Sequence, residues 1–420
     1  MFFRIWQGTK NLMGLSSEEK SDAINDEDAP PQPAPTSSMI DVVKKLGMLS
    51  AEDLADRQIT AKSKYSLPND KKLENMVVKE KLEHENASGS FSHVTLQLHK
   101  KDKEDIWFAK WIFADDDPNV NRAVAEREVA ANEYFRLLMP WQPKTRLLVD
   151  CDGEVCVMSK GVKGFLPCHE DTYNLEYIAQ TYTEMRLSCG AGELLVSAMI
   201  AHEVDLRLPN IGFGENGLLN KIDGDRCFAI FWNKGIAPAV ITSSDLNNLP
   251  FVADYKPTNW FTLILSEKMT SESLIPSAAF DLSHNPLFRR EVNRGILKNL
   301  LLSDDLLHHF FKNYVSDATH CDALEKDIID RREQLFLAGL QNDSFQQYLK
   351  SPDAKEDLQQ FKNQLSEFKT TGKNFLLTEN NKADILLTLD KRFNELSKRV
   401  NAKNAPTKMT DTVNQNTLRK

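Results

Sequence analysis

The stretch His202-Glu203-Val204-Asp205-Leu206-Arg207-Leu208-Pro209-Asn210, followed after a short glycine-bearing segment by Asn220-Lys221-Ile222-Asp223-Gly224-Asp225, decides how this chain is read. Asp205 and Asn210 stand five residues apart, and Asp223 lies thirteen beyond Asn210. The segment between, Ile211-Gly212-Phe213-Gly214-Glu215-Asn216-Gly217-Leu218-Leu219, reads as two short strands around an Asn-Gly turn, which predicts Asn210 and Asp223 side by side at the open end of a hairpin. An ordinary surface hairpin with acids at its ends looks the same, because Asp and Asn are common turn residues. The residues upstream separate the two.

There, Ile106-Trp107-Phe108-Ala109-Lys110-Trp111-Ile112-Phe113 places one lysine inside an apolar, β-prone run. An unpaired ammonium is costly to bury, so Lys110 needs a partner or must snorkel from an edge strand. A helix is expected over 119–139, with Val124, Ala131, Phe135 and Leu138 on one face, and Glu128 completes that stripe. A carboxylate therefore sits where core is expected. Glu126 and Glu133 point elsewhere on the wheel, although a register change would substitute Glu126. Alternating residues 92–99 and two apolar runs within 147–158 around Asp152-Gly153 add strands, giving a small α+β unit.

The rest of the chain sets bounds. With 420 residues, 41% hydrophobic and 27% charged, the chain can bury a large core and has room for a two-lobed unit with accessory segments. A net charge of -9 argues against wrapping nucleic acid, and no nucleic-acid partner is expected. The six cysteines show no CxxC pairing and read as reduced thiols. No apolar run approaches the roughly 20 residues needed to cross a bilayer, so a soluble, cytosolic protein is expected. The opening Met1-Phe2-Phe3-Arg4-Ile5-Trp6 cluster can contact a membrane interface, or dock on its own domain. Residues 1–72 read as a tail and proline-rich linker with a short helix, 321–400 as helical, and 401–420 as a polar, disordered tail. The basic run around His99, Lys100, Lys101 and Lys103 is either a solvated charged hairpin or a site for a polyanionic activator.

Together, Lys110, Glu128 and the spacing Asp205, Asn210, Asp223 resemble the protein kinases, phosphatidylinositol kinases and atypical bacterial kinases. The resemblance covers residues 75–320 and implies an α+β, bilobal kinase-like fold: a small β-rich N-lobe over 73–160, a mainly helical C-lobe over 161–320, and a helical C-terminal extension. It also implies ATP with Mg2+ or Mn2+ as cofactors, with Asn210 and Asp223 holding the metal. Asp205 would accept or orient the proton of the attacking hydroxyl, Arg207 would offset charge on the transferred phosphate, and the Lys110–Glu128 pair would reach the nucleotide phosphates. Gly89, Ser90, Phe91 and Ser92 would form the turn over the phosphates, although one glycine among serines departs from the usual GxGxxG. Met158, Ser159 and Lys160 would form the hinge that bonds the adenine edge through backbone groups.

Two departures set the chain apart from conventional protein kinases. The histidine lies three residues before Asp205 instead of two, and the metal-binding segment ends Asp223-Gly224-Asp225 instead of Asp-Phe-Gly. Asp225 either adds a second carboxylate or caps a turn, and the turn is favoured. With Ser159 to Phe165 and the Asn248-Leu249-Pro250 and Pro257-Thr258-Asn259-Trp260 segments, these departures resemble kinase-like effectors that intracellular bacteria secrete into a host cell. The expected activity is transfer of the ATP γ-phosphoryl group to a protein hydroxyl. A lipid kinase, a pseudokinase serving as a binding module, and a nucleotidyl transferase using the same metal site are the alternatives, and an activator, small molecule or protein, fits any of them.

Overall fold

Strand β3 (Ile106–Phe113) occupies the centre of a five-stranded antiparallel sheet with β1 (Met76–Leu82), β2 (Ser92–Lys100), β4 (Thr145–Val149) and β5 (Val155–Lys160), in the order β1-β2-β3-β5-β4. The computed structural model describes residues 76–82, 92–100, 105–113, 117–149, 155–168, 175–203, 206, 210–228, 240–250, 277–371 and 374–403. The expectations for residues 1–72, the Asp152-Gly153 turn, Lys101, Lys103 and residues 404–420 of the C-terminal tail lie outside these, whereas residues 401–403 continue the last helix instead of the expected disordered tail. Alternation explains β3: Trp107, Ala109 and Trp111 are buried on one face, while Lys110 and Ile112 belong to the other. Register places Lys110 opposite Val157 of β5, which in turn opposes Leu147 of β4. Lys110 thus stands in a row of apolar residues packed against the next helix.

That helix, α1 (Pro118–Leu138), starts where Asp117 accepts a hydrogen bond from the Asn119 amide at 2.8 Å and proline fills the first turn. The sequence predicts a one-sided apolar stripe, and the structure differs: Glu126 and Glu133 are as buried as Glu128. Distant partners explain this. Glu126 accepts from Arg122 and from the backbone and hydroxyl of Ser316, at 2.6, 2.9 and 2.7 Å. Glu133 accepts from the Thr145 amide at 2.7 Å and the Tyr314 hydroxyl at 2.9 Å, and pairs with Arg146 at 2.8 Å. Helix α1 is therefore central, with the sheet on one side and helices on others.

Next come a three-stranded sheet, β6 (Leu166–Pro167), β7 (Ile211–Phe213) and β8 (Leu219–Lys221), and the helices α2 (Leu175–Thr183) and α3 (Ala191–Ile200). Helices α4 (Ser243–Asn248), α5 (Ser277–His284), α6 (Pro286–Leu301), α7 (Asp304–Phe311), α8 (Ala318–Gln341), α9 (Asp343–Lys350), α10 (Pro352–Glu367) and α11 (Lys382–Lys403) follow. The boundary expected at 320/321 falls inside α8, whose Arg331 donates to the Met199 carbonyl of α3 at 2.8 Å. The later helices share one apolar core with α1, α3 and α6. A short hairpin, β9 (Lys369–Thr371) with β10 (Asn374–Phe375), interrupts the region that the sequence reads as a mainly helical extension. Among the described residues the fold is mixed α+β, no helix is long and apolar enough to cross a membrane, and five buried cysteines are free thiols.

Candidate active site around Lys110

The Lys110 ammonium lies 2.9 Å from Glu128 of α1 and 2.8 Å from Asp223, with Asp225 at 3.8 Å. Three segments far apart in sequence thus meet on one nitrogen. On β3, two residues before Lys110 and on the same face, Phe108 is 37% exposed. Its ring lies close to Gly161, where the chain leaves β5.

Asp223 is delivered by the β7–β8 hairpin, in which Ile211 pairs with Lys221 and Phe213 with Leu219, and the turn residue Gly217 adopts a φ of 72° that favours glycine. At the open end the Ile222 amide donates to the Asn210 carbonyl at 2.8 Å, which brings buried Asn210 next to the Asp223 segment. The connection after α1 grips β8: Trp141 and Gln142 side chains both donate to the Leu219 carbonyl at 3.0 Å, and Gln142 accepts from the Lys221 amide at 2.8 Å. Lys221 reaches past its strand to the Asp223 carbonyl and pairs with Glu203 at 2.7 Å, both side chains being buried. Those contacts hold Asp223 in a left-handed conformation (φ 62°), which Asp tolerates better than most residues. Beyond it, a Cβ on Gly224 would lie 2.5 Å from the Asn132 side-chain oxygen of α1, so the turn packs closely against that amide.

The electrostatics follow from crowding in a dry place. Burial works against the Lys110 charge, but Asp223, Glu128 and Asp225 outweigh it and hold the ammonium above its ordinary range. Burial, with Asp223 and Asp225 nearby, raises Glu128 above the usual carboxylate range against the pull of Lys110. Asp225 is raised by burial and by Asp223. Burial and Arg331 push His202 down to about 3, so it stays neutral at physiological pH.

Of the residues expected here, the structure brings together Lys110, Glu128 and Asp223, and the Asn210 backbone lies beside the Asp223 segment. Glu126 does not substitute for Glu128, because Arg122 and Ser316 occupy it. Asp205, Arg207, Gly89, Ser90 and Phe91 lie outside the described residues, and Ser92 opens β2. The hinge expectation needs correction. Met158 and Ser159 are paired with β3 on one side and β4 on the other, and the Lys160 amide donates to the Lys144 carbonyl at 2.7 Å. The ladder occupies these backbone groups, and the chain leaves the sheet only at Gly161. The Lys160 side chain pairs with Asp105 at 3.1 Å in solvent. Sequence reasoning missed Lys221, Glu203, Gln142, Asn132 and Phe108; a lysine within the short hairpin strand was the one visible sign, parallel to Lys110.

No protein-family model matches the chain, and no curated protein does. Among solved structures, a proinflammatory kinase from Helicobacter pylori, CtkA, is similar at 12% identity and a TM-score of 0.34, covering 62% of this chain and 94% of that one. A MAP kinase from Leishmania major is similar at 11% identity and a TM-score of 0.30, covering 77% of this chain and 94% of that one. Both are kinases, and at these scores the functional reading rests on the site's own geometry.

Proposed function

We propose that the chain is an atypical kinase that binds ATP with Mg2+ or Mn2+ and transfers the γ-phosphoryl group to a protein hydroxyl. The observation that carries this reading is the Lys110 ammonium held at once by Glu128 and by Asp223, 113 residues away in sequence. Phosphoryl transfer is chiefly positioning and charge neutralisation, so a lysine tethered by a helix carboxylate beside a metal-binding carboxylate is the arrangement it needs. The five-stranded sheet with α1 then corresponds to the small lobe, and the helical region to the large one.

The donor chemistry fits a hard cation. Asn210 and Asp223 offer amide and carboxylate oxygens, and the Glu128 Oε2 atom beside them is buried without a hydrogen-bond partner. Asn210 and Asp223 would hold the ion, which when bound neutralises charge on the nucleotide phosphates. Lys110 would reach the phosphate oxygens of a bound nucleotide, with Glu128 orienting the ammonium. Asp205 orients the acceptor hydroxyl and takes its proton, and Arg207 offsets charge on the transferred group; both roles rest on sequence spacing. Phe108, half-exposed on the Lys110 face, offers an apolar surface for the base. The effector resemblance makes a host protein the first acceptor to try.

The test is incubation of the purified protein with γ-labelled and, separately, α-labelled ATP plus Mg2+ or Mn2+, with a cell lysate and mixed lipids as acceptors and Asp223→Ala as control. Transfer of γ label to protein, lost in the variant, is the expected result. Label on lipid would make it a lipid kinase, α-label transfer a nucleotidyl transferase. Absence of both, with nucleotide binding retained, would make it a pseudokinase or an enzyme lacking its activator.

A further inference from the structure

The Asp223-Gly224-Asp225 turn carries two carboxylates where one suffices for the reading above. If Asp225 capped the turn, its oxygens would accept hydrogen bonds from it. Among the described residues they accept none, and the carboxylate faces Lys110 at 3.8 Å, beyond hydrogen-bonding distance. Arg127 and Arg226 act on Asp225 electrostatically. A side chain only 10% exposed thus faces the Lys110 charge with no hydrogen-bond donor among the described residues.

Its neighbours share the deficit. Asp223 and Asp225 converge on one nitrogen from the same turn, which marks a point where a cation can touch both. Glu128, whose side chain is 3% exposed, spends one oxygen on that nitrogen and leaves Oε2 buried without a partner. Gly224 lies in the same turn, and a Cβ there would meet the amide end of Asn132, which would have to shift to make room.

We propose that Asp225 is a second carboxylate ligand of the divalent cation bound at Asp223, with Lys110 standing between the two carboxylates until nucleotide arrives; this rests on the phosphotransferase reading. The site then carries one more negative charge than an Asn–Asp pair, within the one or two carboxylates that hold such an ion beside substrate phosphates.

The full chain would be titrated with Mn2+ in the presence of a non-hydrolysable ATP analogue, free Mn2+ being followed by its paramagnetic resonance. Asp225→Asn should weaken Mn2+ binding by about 10- to 100-fold, by analogy with other perturbed metal sites, with the circular dichroism unchanged. Asp225→Cys should lose Mn2+ and gain affinity for Cd2+, because thiolate prefers the softer ion; a turn-capping role would not produce that exchange. Wild-type Mn2+ binding in Asp225→Asn alongside loss in Asp223→Asn overturns this inference and leaves the kinase reading standing. Unchanged binding in both variants overturns the two together. Should Asp225→Asn fail to fold, the cysteine variant decides, and absence of any Cd2+ gain there overturns the proposal.

Discussion

Two buried charge clusters in this molecule are built to opposite rules. Around Glu193 of α3, one carboxylate has two cations: Lys298 at 2.8 Å and Arg294 at 2.5 Å. Lys298 in turn donates to the Leu138 carbonyl at 2.8 Å. Despite burial, those cations hold Glu193 below the usual carboxylate range. Around Lys110 the ratio is inverted, with three carboxylates on one ammonium and the two more deeply buried of them raised. A satisfied cluster fixes a fold, while an unsatisfied one stores affinity for something not yet bound. That difference is what the proposed role of Lys110 rests on, and it leaves Glu193 a structural part.

Substitutions can break this contrast. The largest effect is expected from Asp223→Ala, which should cut metal-dependent turnover by at least about 10²- to 10³-fold while leaving the far-ultraviolet circular dichroism unchanged. Turnover at the wild-type rate would remove the metal assignment. Glu193→Ala should do the reverse, costing about 3–5 kcal/mol in urea unfolding because two cations lose their partner. Glu128→Gln should stay within about 1 kcal/mol of wild type, since Lys110 keeps Asp223. Acid distinguishes the clusters too. Glu193 has a lowered folded pKa, so its contribution is present above the ordinary carboxylate pKa and is lost as pH falls through the folded value. Unfolding curves for Glu193→Ala should therefore approach wild type at low pH.

A double-mutant cycle of Lys110→Met and Glu128→Gln in kcat/KM should show coupling of about 0.5–3 kcal/mol, and additive losses would mean that the two act separately. The smallest effect sharpens the comparison. Asp327 of α8 is also buried with an oxygen lacking a partner, and burial pushes it up to about 6, with Arg331 opposing and Asp330 adding. Because its folded pKa is raised, the charge destabilises the fold above that value and the penalty fades as pH falls towards 4. Asp327→Asn should stabilise by about 1–3 kcal/mol at neutral pH and by nothing below about pH 4, read from denaturant midpoints.

Much of the fold was legible because the signals were local. A lysine in an apolar strand, a glutamate within a heptad-like stripe and an Asn-Gly turn between two short strands each follow from chemistry within a few residues. Burial of Glu126 and Glu133 was not legible, because Ser316, Tyr314 and Arg146 come from elsewhere in the chain. The hinge was misplaced because strand pairing extends through Lys160, and where a ladder stops depends on its neighbours. Asp225 read as a turn residue because Asp-Gly-Asp has turn composition; only the position of Lys110 shows which way that carboxylate faces.

The end of α1 carries a consequence for how the chain is made. Its last carbonyls are met by side chains from far downstream: Leu138 accepts from Lys298, 160 residues later, and Leu137 from Gln364, 227 residues later. On the ribosome, the helix that presents Glu128 must wait for most of the polypeptide before its end is secured. A nascent chain stopped short of Gln364 would hold every residue of the Lys110 cluster and yet lack the contact that secures the end of the helix beneath it.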